Sequence, residues 1–150
     1  MYNMEEFDQT KTKVLKYIVY KKRTENEVRT KFQNDIEQNL LNDVIDYLKE
    51  ANYIDDKNYI EKTVNNLKIL KNLSITELKY KLMAKGLDKD LIEDYIYENK
   101  EELTEYEINS ATNIITKKSK DLEITEIKNY LLKKGYKPDN IAEAFEENLW

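Results

Sequence analysis

The chain has no cysteine and no histidine, and only two glycines and one proline among its 150 residues. Each shortage closes off a class of chemistry. Without cysteine there is no disulfide framework and no thiolate nucleophile or ligand. Without histidine, the side chain that most often serves as general base and metal ligand near neutrality is missing. Two glycines cannot build a phosphate-cradling loop, and so little turn chemistry leaves few ways to make hairpins. No apolar run approaches the length of a membrane span, and the opening MYNMEEFDQ is acidic where a secretion signal would be basic and apolar. The expectation is a cytoplasmic protein without catalysis, cofactor, metal or membrane contact. Asn72-Leu73-Ser74 matches a glycosylation sequon, which without a secretion signal reads as chance.

What the chain does have is charge, 25 basic against 30 acidic side chains, and many Leu, Ile, Lys and Glu, a composition that favours an all-α fold. Ser74–Tyr97 sets the pattern. Ser74 and Glu77 form a capping box, in which each side chain satisfies a backbone donor at the helix start. Leu78, Leu82 and Met83 recur at helical spacing, and Gly86 stops the helix, because glycine takes the left-handed conformation of a C-terminal cap without steric cost. Leu87 follows as the apolar partner of that cap. Asp88 then starts another helix with Leu91, Ile92, Tyr95 and Ile96 on its inner face. Forty-nine residues downstream the parts recur: Glu126, Ile127 and Leu131 stand for Glu77, Leu78 and Leu82, and Gly135-Tyr136 for Gly86-Leu87. A third copy lies upstream, with Thr24 and Glu27 as capping box and Val28 and Phe32 as apolar face. It is one residue shorter, and Asn34-Asp35 replaces the glycine as the next best left-handed residues.

Each copy is preceded by a leading helix. The first is expected from near Asp8 to Lys22, with Val14, Tyr17, Ile18 and Val19 inward and Met1 to about Gln9 as a frayed lead-in. The second spans Asp56–Lys71, with Ile60, Val64, Leu67 and Leu70 inward. The third spans Thr104–Lys118, opened by a Thr104/Glu107 capping box, with Ile108, Ala111 and Ile115 inward. Pro138 opens the last helix, where its missing donor costs nothing. Glu123 stands where the capping Ser or Thr belongs in the third copy, so that helix could start at Thr125 or Asp121 instead. A period of about fifty residues means stacked helical units, none large enough to bury a core alone. The predicted architecture is all-α: a lead-in (1–10) and three tandem three-helix modules (11–54, 55–101, 102–150) stacked into an elongated, curved molecule. Trp150 is expected to pack on the last of them.

The charges alternate along this plan. The first two helices of every unit are net basic and every third helix is net acidic, within a total of −5. Stacking would align these into a basic and an acidic stripe; salt bridges between the helices of a solvated surface account for the pattern equally well. The carboxylate pairs Glu101-Glu102 and Glu146-Glu147, and the cluster Asp88, Asp90 and Asp94, lack the pocket context or the loop spacing of a catalytic or calcium site. Most of the twelve tyrosines fall beside apolar helical positions and read as rim-of-core residues with wet hydroxyls. Tyr80, between Lys79 and Lys81, is the best candidate for stacking on an unpaired base. Lys21-Lys22-Arg23, Lys85 and Lys133-Lys134 could contact phosphates or an acidic partner, although basic clusters at helix C-termini also complement the helix dipole.

These motifs resemble those of the RecX family of bacterial recombination regulators. The S/T-x-x-E-L/V-x-x-K-L helix reads here as Thr24–Phe32 and Ser74–Leu82, and the K-G-F/Y/L hinge as Lys85-Gly86-Leu87 and Lys134-Gly135-Tyr136. The Y/L-I-D-D-x-x-Y/F junction reads as Tyr53–Tyr59. The resemblance covers roughly residues 11–148. It implies tandem three-helix modules and a non-catalytic protein, and a monomer is expected. Such a protein binds the RecA recombinase filament on single-stranded DNA and restrains its ATP hydrolysis, strand exchange and growth. The acidic total implies only feeble direct DNA contact. Two other readings use the same helices, a helix-turn-helix-like nucleic-acid-binding module and a helical protein adaptor. Against the first, the helices after the glycine hinges are the acidic ones, which phosphates repel.

Overall fold

The computed structural model describes residues 1–148, with side chains for residues 1–147, and contains nine α-helices and no strand among them. In order these are α1 Met4–Tyr20, α2 Glu25–Phe32, α3 Gln38–Glu50, α4 Asp56–Leu70, α5 Ile75–Ala84, α6 Lys89–Glu98, α7 Lys100–Lys118, α8 Ile124–Lys133 and α9 Pro138–Asn148. The expected position of Trp150 lies outside the described residues.

The capping residues start the helices where the sequence puts them. Thr24 Oγ1 accepts the Glu27 amide at 3.0 Å while Glu27 Oε1 accepts the Thr24 amide at 3.0 Å, and Ser74 and Glu77 repeat this exchange at the same distances. Gly86 and Gly135 end α5 and α8 at φ +76° and +91°. Pro138 is the first residue of α9. Apolar side chains at helical spacing then collect into three buried clusters. Val14, Ile18, Val28, Phe32, Leu41, Val44, Ile45 and Leu48 form the first, within α1–α3. Ile60, Val64, Leu78, Leu82 and Ile92 of α4–α6 form the second, joined by Leu103 and Tyr106 from α7. The third holds Ile108, Ala111, Ile115, Ile127, Leu131, Tyr136, Ile141 and Ala144 of α7–α9. In each set the leading helix packs on the last, α1 on α3, α4 on α6 and α7 on α9.

The sets are joined by a contact that repeats. The hydroxyl that caps α2 donates to the hinge carbonyl ending α5, Thr24 Oγ1 to Lys85 O at 3.3 Å; Ser74 Oγ at the start of α5 donates to Lys134 O at the end of α8, at 2.6 Å. The next residue's amide reaches a carboxylate of the following leading helix: Glu25 N to Asp56 Oδ1 at 3.0 Å, Ile75 N to Glu107 Oε1 at 2.8 Å. One residue further, Asn26 and Thr76 press on the hinge glycines, where an added Cβ would lie 2.1 Å from Asn26 Nδ2 on Gly86 and 2.7 Å from Thr76 Cβ on Gly135. The glycines therefore serve close approach between units as well as helix termination.

Several expectations are corrected. The lead-in is helical from Met4, because Asn3 Oδ1 accepts the Glu6 amide at 2.8 Å, and Tyr2 and Phe7 pack on the first core. The hinge of the first copy uses no left-handed residue: Asn52, at φ 64°, is the one non-glycine with positive φ among the described residues. The chain leaves α2 through Asp35 and Ile36 amides bonded to Phe32 O instead. Val19, Leu70 and Met83 are exposed, since they stand in last turns beyond the helices that cover the earlier ones. α7 begins at Lys100, so Thr104 is inside a helix and caps nothing. α8 starts at Ile124 after Glu123, whose amide is accepted by Glu126 Oε1 at 3.3 Å, rather than at Thr125 or Asp121. The Tyr136 hydroxyl does not reach water; it is buried without a hydrogen-bond partner among the described residues, and burial pushes its pKa far up.

Candidate partner-binding surface

The capped helices carry the cations that the sequence singles out. On α5, Tyr80 is 64% exposed, and Lys81 and Lys85 are exposed beside it. Lys79 is the exception, since it is partly buried and its Nζ lies 3.1 Å from Glu93 Oε1 of α6. At the end of α8, Lys133 and Lys134 are exposed. After α1, Lys21 and Lys22 are exposed, while Arg23 folds back and lays its guanidinium 4.1 Å from the centre of the Tyr17 ring. The residues thus fall into three groups, one per unit, and are not gathered into a single pocket.

Local geometry adds residues that sequence reasoning did not choose. Tyr17 also has Lys31 Nζ 5.8 Å from its centroid and stands edge-on to Phe32 at 5.6 Å. Together with Asn26, Glu27, Thr30 and Ala84 it lines a cleft of about 500 Å³ that brings Lys31 and Lys85 to one mouth. In the third unit, Tyr130 takes the same part, with Lys118 Nζ at 4.1 Å and Lys134 Nζ at 5.6 Å. Each cation–π contact is worth about 0.5–1 kcal/mol at such exposed sites, enough to hold long side chains in place for a partner. Lys31 and Lys118 meet their rings only through the tertiary fold, so nothing local in the sequence marks them.

A second cleft at the first junction has the opposite character. It measures about 640 Å³ and is lined by Glu25, Arg29, Lys49, Asp55, Asp56, Lys57 and Asp88 among others. Glu25 ties it together, with Arg29 Nε at 3.0 Å and Lys49 Nζ at 2.9 Å. Burial pushes the Glu25 carboxyl up, but hydrogen bonds from Lys49 and Arg29 outweigh this and hold it below the usual value. Asp56 is pushed above its usual value by burial, only partly offset by the Glu25 amide. Asp88 accepts the Asp90 amide at 2.8 Å as a helix cap, so it serves structure. Among the described residues no group of three acidic side chains could hold a metal ion, and no helix is long and apolar enough to cross a membrane.

Fold and surface define a class: an all-helical protein whose three hinge-linked helix sets each expose lysines. The solved structure of RecX from Lactobacillus salivarius superposes with a TM-score of 0.82 over 97% of this chain and 98% of that one, at 24% identity. A second solved structure, of a regulatory protein RecX, gives 0.78 over 93% and 73% at 17% identity. In sequence, regulatory protein RecX of Finegoldia magna is 34% identical over 119 residues, which is 77% of this chain and 56% of that protein. The Staphylococcus epidermidis protein of the same name is 34% identical over 109 residues, 69% and 41% respectively. The chain belongs to the RecX family. It spans about half the length of the curated relatives it matches, and no family profile matches it.

Proposed function

We propose that the chain regulates the RecA recombinase without catalysing a reaction. It binds the RecA filament on single-stranded DNA as a cytoplasmic monomer and inhibits ATP hydrolysis, strand exchange and filament growth. The observation that carries this reading is the similarity to proteins named regulatory protein RecX, in sequence and across nearly the whole fold. The repeat surface supports it. Patches at Lys21-Lys22-Arg23, at Tyr80, Lys81 and Lys85, and at Lys133-Lys134 recur along the array, which suits a partner that itself repeats. In this reading the three units (11–54, 55–101, 102–150) dock in turn, and direct contact with DNA is weak because the chain is acidic overall.

The test is the DNA-dependent ATPase of the host's own RecA, followed in time with this protein well below the RecA concentration. Progressive loss of hydrolysis is expected, as growth of filaments is cut off. Undiminished hydrolysis at equal concentrations would overturn the proposal. Titration of naked DNA at moderate salt separates it from a helix-turn-helix reading, which requires tight binding without RecA.

A further inference from the structure

Two neighbouring large apolar side chains stand bare at the end of α1, Val19 at 73% and Tyr20 at 86% exposure, and two more at the end of α4, Ile69 at 82% and Leu70 at 76%. They are the same two places in the repeat, fifty residues apart. Single exposed apolar residues are ordinary on any surface. A pair that recurs in register is different, because helix packing does not require it: α1 and α4 already bury Val14 and Ile18, and Ile60 and Val64, on their inner faces. In the same register the third unit has Lys118 and Ser119.

The flanking sequence carries one sign, and Asp55, before α4, is the acidic group near Lys22. Gln9–Thr24 and Lys62–Thr76 contain no Asp or Glu, but the first holds Lys11, Lys13, Lys16, Lys21, Lys22 and Arg23, and the second Lys62, Lys68 and Lys71. The two pairs also share one surface. Lys22 Nζ lies 3.4 Å from Asn58 Oδ1 in the first turn of α4, and the neighbouring Lys62 lowers the Lys22 pKa. The helical rise puts Lys62 roughly 12 Å along the axis from Leu70. Lys22 and Lys62 therefore lie together where the end of α1 meets the start of α4, outnumbering the neighbouring Asp55, and their mutual repulsion favours an anionic group beside them.

We propose that Val19-Tyr20 and Ile69-Leu70 are twin anchors of one docking surface, whose occupant is a protein face with two apolar sockets separated by Asp or Glu side chains. The inference rests on the function proposed above, so that face belongs to the RecA filament. Nucleic acid is the poorer fit, since valine, isoleucine and leucine gain nothing from phosphates. A bilayer is poorer too, since the anchors are two isolated helix ends rather than the long apolar stripe of an interfacial helix. Buried apolar anchors within a charged rim are the usual source of affinity at protein interfaces.

The experiment compares the full chain with Tyr20→Ser, Leu70→Ser and the double variant in co-sedimentation with RecA filaments on single-stranded DNA, with circular dichroism to check the fold. All four residues are exposed, so helicity should not change. Each single variant is expected to weaken binding on the order of tenfold and the double variant on the order of a hundredfold. Equal binding by the parent chain and the double variant would overturn the proposal and leave the RecA reading intact. No binding by the parent chain would overturn both. Flotation with anionic phospholipid vesicles that the double variant loses while filament binding persists would reassign the anchors to a membrane and overturn the protein occupant.

Discussion

Gly86 and Gly135 hold left-handed backbone and at the same time leave room for a side chain of the preceding unit. An L side chain at such a φ costs about 1–2 kcal/mol. At Gly86 the obstacle is Asn26, whose own Cβ would lie 2.8 Å from the added one, and at Gly135 it is Thr76, whose Cβ would lie 2.7 Å away and whose hydroxyl donates to Gly135 O at 3.2 Å. Gly86→Ala and Gly135→Ala should therefore each lower stability by more than the about 1–2 kcal/mol of backbone strain alone, measured by urea unfolding. A loss of only about 1–2 kcal/mol at either site would mean that the close approach contributes nothing. Charge works at this scale too. Lys79 is already paired with Glu93, so Lys79→Ala should leave filament affinity within about twofold, while Lys81→Glu with Lys85→Glu should lower it about tenfold in co-sedimentation. The order reversed would show that the exposed cations are only solvated.

The contacts between elements were the least legible in the sequence. Capping boxes and hinge glycines are local, and they read correctly at Thr24, Ser74, Gly86 and Gly135 because every partner lies within a few residues. Glu107 looked like the far half of a capping box with Thr104. Helix α6 in fact ends at Glu98 and α7 starts at Lys100, so the box has no helix start to cap, and Glu107 turns inward with no exposed surface. Its carboxylate accepts Ile75 N, Lys137 N at 3.3 Å and Asn140 Nδ2, donors 30 to 33 residues away that no local pattern reveals. Two of them open helices, so the carboxylate answers two helix N-termini at once. Glu107→Ala should cost about 1–3 kcal/mol for the orphaned donors, read by urea unfolding. The matching pin at Asp56 behaves differently. Its raised pKa means that the folded state holds the proton more tightly, so ionised Asp56 costs stability near neutrality and the cost fades as pH falls through the raised value. Asp56→Asn keeps an oxygen for the Glu25 amide. It should raise the melting temperature near neutrality and lose that advantage in acid; a gain that grew with acidification would contradict the assignment. Glu25 runs the other way: its lowered pKa gives stability above the ordinary carboxylate range that is lost as pH drops through the lowered value.

At the scale of the whole molecule, stability should follow the array. The first and second sets meet through hydrogen bonds at Thr24, Glu25 and Lys22, whereas the second core draws Leu103 and Tyr106 out of α7, with the Tyr106 hydroxyl donating to Lys71 O at 2.6 Å and accepting Leu73 N at 3.0 Å. The first junction is thus the weaker coupling. In a chain of near-neighbour units, a core defect spreads only as far as the couplings carry it. Leu48→Ala, at a fully buried site, should cost about 2–5 kcal/mol and accelerate amide hydrogen exchange throughout α1–α3. Exchange in α7–α9 should stay near that of the parent chain; uniform acceleration along the chain would show a single cooperative body. The repeat itself was plain in the sequence because glycines and caps mark it, but the unequal junctions were not, since they depend on which leading helix lends side chains to its neighbour.

The direction of the junction bonds has a consequence for synthesis. In both hydroxyl-to-hinge bonds the earlier unit supplies the donor and the later unit the acceptor: Thr24 waits for Lys85, 61 residues on, and Ser74 for Lys134, 60 residues on. At ordinary translation speeds each wait lasts roughly 3–12 s. During that time the nascent chain holds a finished helix start whose hydroxyl oxygen already accepts its own helix amide while the hydroxyl hydrogen has only water to bond, so the units close in the order in which the ribosome releases them.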